Sequence, residues 1–161
     1  CMTTDEKCIK RSIELAQEAF EVGDSPFGCV VAKGNKIVME TINRIKLDND
    51  ITGHAEIQAI RQMQKKVNSS DLSDYAIYSN YEPCAMCSFM IREAKFHKIV
   101  FSLKSLYMGG YNKWNILEDR DLEKFPPFFA KPPQVMAGVL ENDMKRLADR
   151  IGWSSMYKRI S

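Results

Sequence analysis

Apolar positions along the chain follow two periods. Ile9, Ile13, Ala16 and Phe20 recur at helical spacing behind Thr4, Asp5 and Glu6. There a capping hydroxyl at Thr4 and two acids suit the positive end of a helix dipole. Gly23-Asp24-Ser25-Pro26 ends the run. Residues 27–33 then read as a strand, Gly34-Asn35 as a tight turn and residues 36–42 as the returning strand of a hairpin. A polar loop, Asn43 to Ile51, precedes Thr52, which can cap a second helix carrying Ala55, Ala59, Met63 and Val67 on one side. Asn68-Ser69-Ser70-Asp71 breaks it. Residues 75–79 predict a third strand, and Pro83 suits the first position of a helix reaching about Ala94. Residues 97–102 predict a fourth strand. Periodicity then weakens through Gly109-Gly110 and the four prolines between Pro126 and Pro133. A short helix is expected around Trp114 to Glu118, and a fifth strand over residues 134–140. Leu140, Met144, Leu147, Ala148 and Ile151 make a last helical stripe that Gly152 ends.

This order predicts an α/β fold, a central sheet of about five strands covered by helices, with crossover helices making the later strands parallel. No repeat or linker interrupts it, and 161 residues fit one domain over 1–161 rather than two. Apolar residues at 45% and charged residues at 27% match a soluble globular protein, and no apolar run could span a bilayer. The amino end is acidic without an apolar stretch, unlike a secretory signal, and Cys1 reads as an addition ahead of Met2. A cytoplasmic location is expected. A net charge of +2 does not mark a dedicated nucleic-acid binder.

Five cysteines, an odd and uneven set, do not form a disulfide framework. Cys8 falls in a helical pattern and Cys29 in a strand pattern, so both read as small buried hydrophobes. Cys84 and Cys87 form a C-x-x-C pair, used in a reducing compartment for metal binding or redox chemistry. They sit at i and i+3 near a predicted helix start, so both sulfurs can reach one ion as thiolates. His54, near the start of the preceding helix, offers a third ligand. Three protein ligands leave one tetrahedral position open, which marks catalytic rather than structural zinc. A structural site would need a fourth ligand from His97, Cys29 or Cys8. Glu56 is placed to handle a proton at the open position. A redox C-x-x-C remains the other reading, which Ala85-Met86 and the partner His54-x-Glu56 do not favour.

His54-Ala55-Glu56 with Pro83-Cys84-Ala85-Met86-Cys87 resembles the signature of the cytidine deaminase-like superfamily of zinc deaminases. Ser25-Pro26-Phe27-Gly28-Cys29-Val30-Val31, Asn43-Arg44, the run from Asn49 to Ile60 and Glu82-Pro83 are similar to its guanine deaminase and tRNA-adenosine deaminase branch. The likeness spans about residues 25 to 102. It implies a three-layer α/β/α fold, a five-stranded mixed sheet of order 2-1-3-4-5 with the last two strands parallel, and a homodimer. It also implies that His54, Cys84 and Cys87 bind zinc while Glu56 moves protons during hydrolytic deamination. Asn43 matches the position that holds the base edge, Phe27 a pocket wall, and the backbone at Gly53 and Ala55 the place where the ring lies. Where the family has alanine, Gly53 is expected to leave room beside the base; where it has proline, this chain has Ile51.

A tRNA substrate would require clustered cations. Lys145, Arg146, Arg150, Lys158 and Arg159 are interleaved with Glu141, Asp143 and Asp149, the mixture of a solvated helix face. Lys104 to Tyr111 matches the tRNA-editing stretch only in part. The expected substrate is therefore a small amino-heterocycle, guanine-like purines first, with tRNA adenosine as the alternative. Trp114, Trp153 and Tyr157 either complete the core or close over a base, Trp114 being the candidate lid. A catalytically silent zinc-bearing subunit is a third class, which the presence of Glu56 opposes. Met86, Phe89 and Met90, apolar on the helix after the zinc cysteines, are the expected dimer contacts.

Overall fold

A computed structural model describes residues 1–158; Arg159 of the basic carboxyl-terminal cluster lies outside them. Five strands form one mixed sheet in the order β2-β1-β3-β4-β5. β1 (Gly28–Lys33) and β2 (Lys36–Ile42) make the antiparallel hairpin. β3 (Ala76–Tyr81) is antiparallel to β1 and parallel to β4 (Lys98–Leu103), which is parallel to β5 (Gln134–Ala137). Both expectations, strand order and parallel later strands, hold.

Strand alternation sorts the core onto two faces. Val30 and Ala32 of β1 and Tyr78 of β3 pack with Cys8, Ile9 and Leu15 of α1 (Thr4–Glu21). Cys29 and Val31 of β1 and Ile77 of β3 face the other way, onto Ala59, Ile60 and Met63 of α2 (Ala55–Val67) and Ile91 of α3 (Ala85–Glu93). α4 (Glu141–Arg150) lies on the α1 side, where Met144, Leu147 and Ala148 meet Ala16 and Leu103. Cys8 and Cys29 are buried thiols, as expected. No described helix is long and apolar enough to cross a membrane.

The close seat of α1 on β1 depends on Gly28. A methyl group there would stand 2.5 Å from the Ser12 carbonyl oxygen and 2.6 Å from Leu15 Cβ. Gly28→Ala should therefore lower unfolding free energy by about 1–3 kcal/mol through forced separation of the two elements. Urea denaturation checks this, and an unchanged midpoint would show that α1 yields freely.

Several boundaries differ from the sequence expectation, each for a local reason. Thr3 rather than Thr4 caps α1, because Thr3 and Glu6 exchange side-chain and backbone bonds in a capping box. Thr52 does not cap α2; its hydroxyl donates to Asp50 at 2.7 Å, and His54 takes the cap position. Pro83 is not the first helical residue, since Cys84 occupies the cap of α3. Residues 114–118 form turns rather than a helix, and the fifth strand stops at Ala137 before Gly138, whose φ is 80°. The positive φ there turns the chain towards α4.

Candidate active site

Four chemically active side chains sit on the first turns of two helices. His54 and Cys84 are the cap residues of α2 and α3, and neither makes a side-chain capping bond. Glu56 and Cys87 follow within each first turn. Helix starts carry unpaired N–H groups and a positive dipole end, which stabilise thiolate and carboxylate. With the cap side chains free, that potential faces the space between the helices.

One donor atom each from His54, Cys84 and Cys87 lies within 4.8 Å of the others, and Cys84 Sγ is 3.8 Å from His54 Nδ1. The sulfurs behave as a thiol–thiolate pair. Hydrogen bonding from Cys87 pulls the Cys84 pKa down to about 4, helped by His54 against the cost of burial. The buried Cys87 thiol is correspondingly raised. His54 is raised, first by its bond to Cys84, and the Ile51 carbonyl contributes. A nitrogen and two sulfurs around an existing thiolate fit zinc. Cys8, Cys29 and His97 are outside this group, and no fourth His, Cys, Asp or Glu among the described residues joins it.

Glu56 is 6% exposed and its Oε1 accepts from Ser79 Oγ at 2.9 Å. Burial raises its pKa above the ordinary carboxylate value. A cavity of about 220 Å³ opens on these groups, with Phe27, Asn43 and Ala55 among its walls. Phe27 is braced by Tyr81 and Trp153, with ring centroids at 5.6 and 6.4 Å. As the first residue of α2, Ala55 presents an N–H without an intrahelical partner. Gly53 and Trp114 do not contribute to the lining. Gly53 is instead locked in its loop: its N–H reaches the Asp50 carbonyl and its carbonyl receives the Arg44 N–H. A Cβ would meet the Arg44 backbone at 3.1 Å, so the glycine makes room for Arg44. Trp114 is 46% exposed, beside Lys113.

Sequence reasoning gave no role to Ser79 or Ser105, and placed Glu82 only within the family-like run without a role. Buried Glu82 accepts from the backbone N–H groups of Ser105, Tyr111 and Asn112 at 3.1, 3.2 and 2.8 Å, and from the Asn112 side chain. It thereby fixes the loop that brings Ser105 and Met108 to the cavity. Gly109 is required because a Cβ there would overlap the Glu82 carboxylate. The available signal was polar residues in otherwise apolar surroundings, Ser79 within β3 and Glu82 directly after it.

Residues 2–103 match the model of the cytidine and deoxycytidylate deaminase zinc-binding region. The tRNA-specific adenosine deaminase of Aquifex aeolicus is 29% identical over 89% of this chain and 95% of its own length. The guanine deaminase of Bacillus subtilis is 40% identical over 51% of this chain and 53% of its own. A solved structure from a study of A-to-I editing by tRNA:A34 deaminases shares the fold. Its TM-score is 0.74 at 23% identity, over 88% of this chain and 98% of that one. With a matching family region of this extent and a zinc-type donor set at two helix starts, the chain belongs to the cytidine and deoxycytidylate deaminase family of zinc-dependent hydrolases acting on C–N bonds.

Proposed function

We propose that the chain, as one domain over residues 1–161, deaminates a small amino-heterocycle, with guanine-like purines the first candidates. The observation that carries this reading is the cavity: about 220 Å³, apolar-walled, and open directly onto His54, Cys84 and Glu56. Apolar walls with a few convergent polar groups are what a small heterocycle's site needs. His54, Cys84 and Cys87 would hold zinc, which supplies Lewis-acid activation of water at neutral pH. Glu56 takes a proton on its carboxylate and returns it to the heterocycle, with Ser79 keeping the carboxylate in place. Phe27 covers the ring, while Asn43 and the Ala55 N–H meet its polar edge. Trp114 and Gly53 lie outside the lining.

A second reading, tRNA adenosine as substrate, has its own support. The tRNA-specific relative aligns over more of its length than the guanine deaminase does. A groove of about 420 Å³ bearing Lys104, Lys145 and Lys158 shares Tyr81 and Met108 with the cavity. Within the groove Lys145 pairs with Glu141 at 3.6 Å and, like Lys158, lies over the Tyr157 ring; nearby, Arg146 pairs with Asp143 and Arg150 donates to Gln17.

Ammonia release from guanine, adenine, cytosine, their nucleosides and an anticodon stem-loop, each at two salt concentrations, separates the readings. A free base should be turned over with little salt dependence. Several phosphate contacts would instead cost orders of magnitude in affinity between 50 and 200 mM salt. Activity confined to the RNA, collapsing with salt, would overturn the first reading.

A homodimer is part of the proposal. On α3, beside the zinc cysteines, Met86 is 38% exposed and Phe89 42% exposed although its ring packs edge-on against Phe129, whereas Met90 packs into the core. Light scattering of active enzyme should give twice the chain mass, and a single-chain mass would refute it.

A further inference from the structure

Building on the small-heterocycle reading, we propose that Asp24 is a positioning residue for specificity. It holds the Asn43 amide so that its carbonyl oxygen faces the cavity and selects heterocycles carrying a ring N–H.

Asn43 is 1% exposed, and its side-chain nitrogen lies 2.7 Å from Asp24 Oδ1. An ionised carboxylate only accepts hydrogen bonds, so the amide atom facing it must be the NH₂ group. That chemistry settles an orientation which electron density alone often leaves ambiguous. Asp24 cannot turn away. It is buried and also receives the N–H groups of Ser25, Lys46 and Leu47 at 2.8, 2.9 and 2.9 Å. Burial opposes the charge, but these donors and Asn43 outweigh it and keep the Asp24 pKa below the ordinary value. The Asn43 backbone N–H is fixed to the Phe27 carbonyl at 3.0 Å, so the side chain starts from an anchored point on the cavity wall. Among the described residues, none donates to Asn43 Oδ1.

The cavity therefore presents a fixed acceptor. A ring N–H satisfies it, whereas a bare ring nitrogen or an alkylated one leaves it buried and unpaired. Ser105 stands in the cavity wall, but its hydroxyl is buried beside the Tyr81 phenol and does not reach the base. Its backbone N–H is held by Glu82 at 3.1 Å, and the Tyr81 phenol donates to the Met156 carbonyl. Guanine and cytosine as free bases offer ring N–H groups. Adenosine within a polynucleotide offers none, because its ring nitrogens are acceptors or carry the sugar.

The test uses zinc-loaded enzyme and kcat/KM for guanine, its singly ring-N-methylated derivatives and adenosine. One methylated derivative should lose roughly ten- to a hundredfold, the cost of leaving the acceptor unpaired. In Asp24→Asn the amide can turn, so that ratio should fall to within about threefold while zinc content is kept. A purely steric effect of the methyl group would survive this substitution, and a general loss of stability would lower all substrates alike. If Asp24→Asn does not fold, a crystal structure of the parent with bound base decides: Asn43 Oδ1 should lie at about 2.7–3.2 Å from a ring N–H. A C–H or bare nitrogen facing Oδ1, or an unchanged ratio in folded Asp24→Asn, overturns the inference. Equal use of small heterocycles with and without a ring N–H also overturns it, and leaves the small-heterocycle reading standing. Turnover of tRNA adenosine alone overturns both.

Discussion

Glu56→Gln should retain its zinc and its fold while turnover falls by about a hundred- to ten-thousandfold, the usual worth of a positioned proton carrier. Gln preserves the size of the side chain, and its amide can keep a hydrogen bond to Ser79 Oγ, now 2.9 Å from Glu56 Oε1. What it loses is the ability to take and return a proton. The side chain is buried and its pKa is raised by that burial, which brings the proton affinity of a carboxylate closer to what neutral-pH transfer requires. Glu56→Ala should lose as much activity and also open a small space beside Ser79. The check is kcat together with metal content on the same preparation. Turnover within a few-fold of the parent, with zinc in place, would remove Glu56 from the mechanism. Loss of zinc along with activity would assign it a role in the metal site.

The second large effect is expected on stability. Cys84→Ser, Cys87→Ser and His54→Ala should each abolish zinc binding and lower the melting temperature to that of the parent stripped by chelator. A metal that binds only the folded chain adds about 4 kcal/mol at a thousand times its dissociation constant. For a chain of this size that corresponds to roughly ten degrees. Without the metal, a thiolate at Cys84 and a buried thiol at Cys87 are left facing each other between two helix starts. Chelator should then have no further effect on the variants. Differential scanning calorimetry with and without chelator reads this directly, and three variants melting with the parent would show that the cluster holds no metal.

The zinc donors and Glu56 were legible because their spacing is itself a physical statement. Cys84 and Cys87 share a helix face, and His54-x-Glu56 opens the helix that packs beside it. The strands were legible as short apolar runs bounded by turn residues, since β1 is buried on both faces and sends Val30 and Val31 to opposite layers. Residues 103–133 were not, because side chains far away in sequence hold them. Arg92, buried in α3, donates to the carbonyls of Ile116 at 2.8 Å and Asp119 at 2.7 Å, and Glu82 gathers residues 105–112. Such contacts leave no period to read. The same applies to Asp24, which the sequence offered only as part of a turn. Its partners lie 19 to 23 residues away.

Zinc X-ray absorption on purified, active enzyme tests the central claim most directly. The account predicts about one zinc per chain, with two sulfurs at about 2.3 Å and two nitrogen or oxygen neighbours at about 2.0–2.1 Å. One of those neighbours is His54 and the other is exchangeable solvent, replaced when a competitive heterocycle binds. A third sulfur, or a shell of four protein ligands unmoved by such a ligand, would make the site structural and contradict the catalytic role assigned to it.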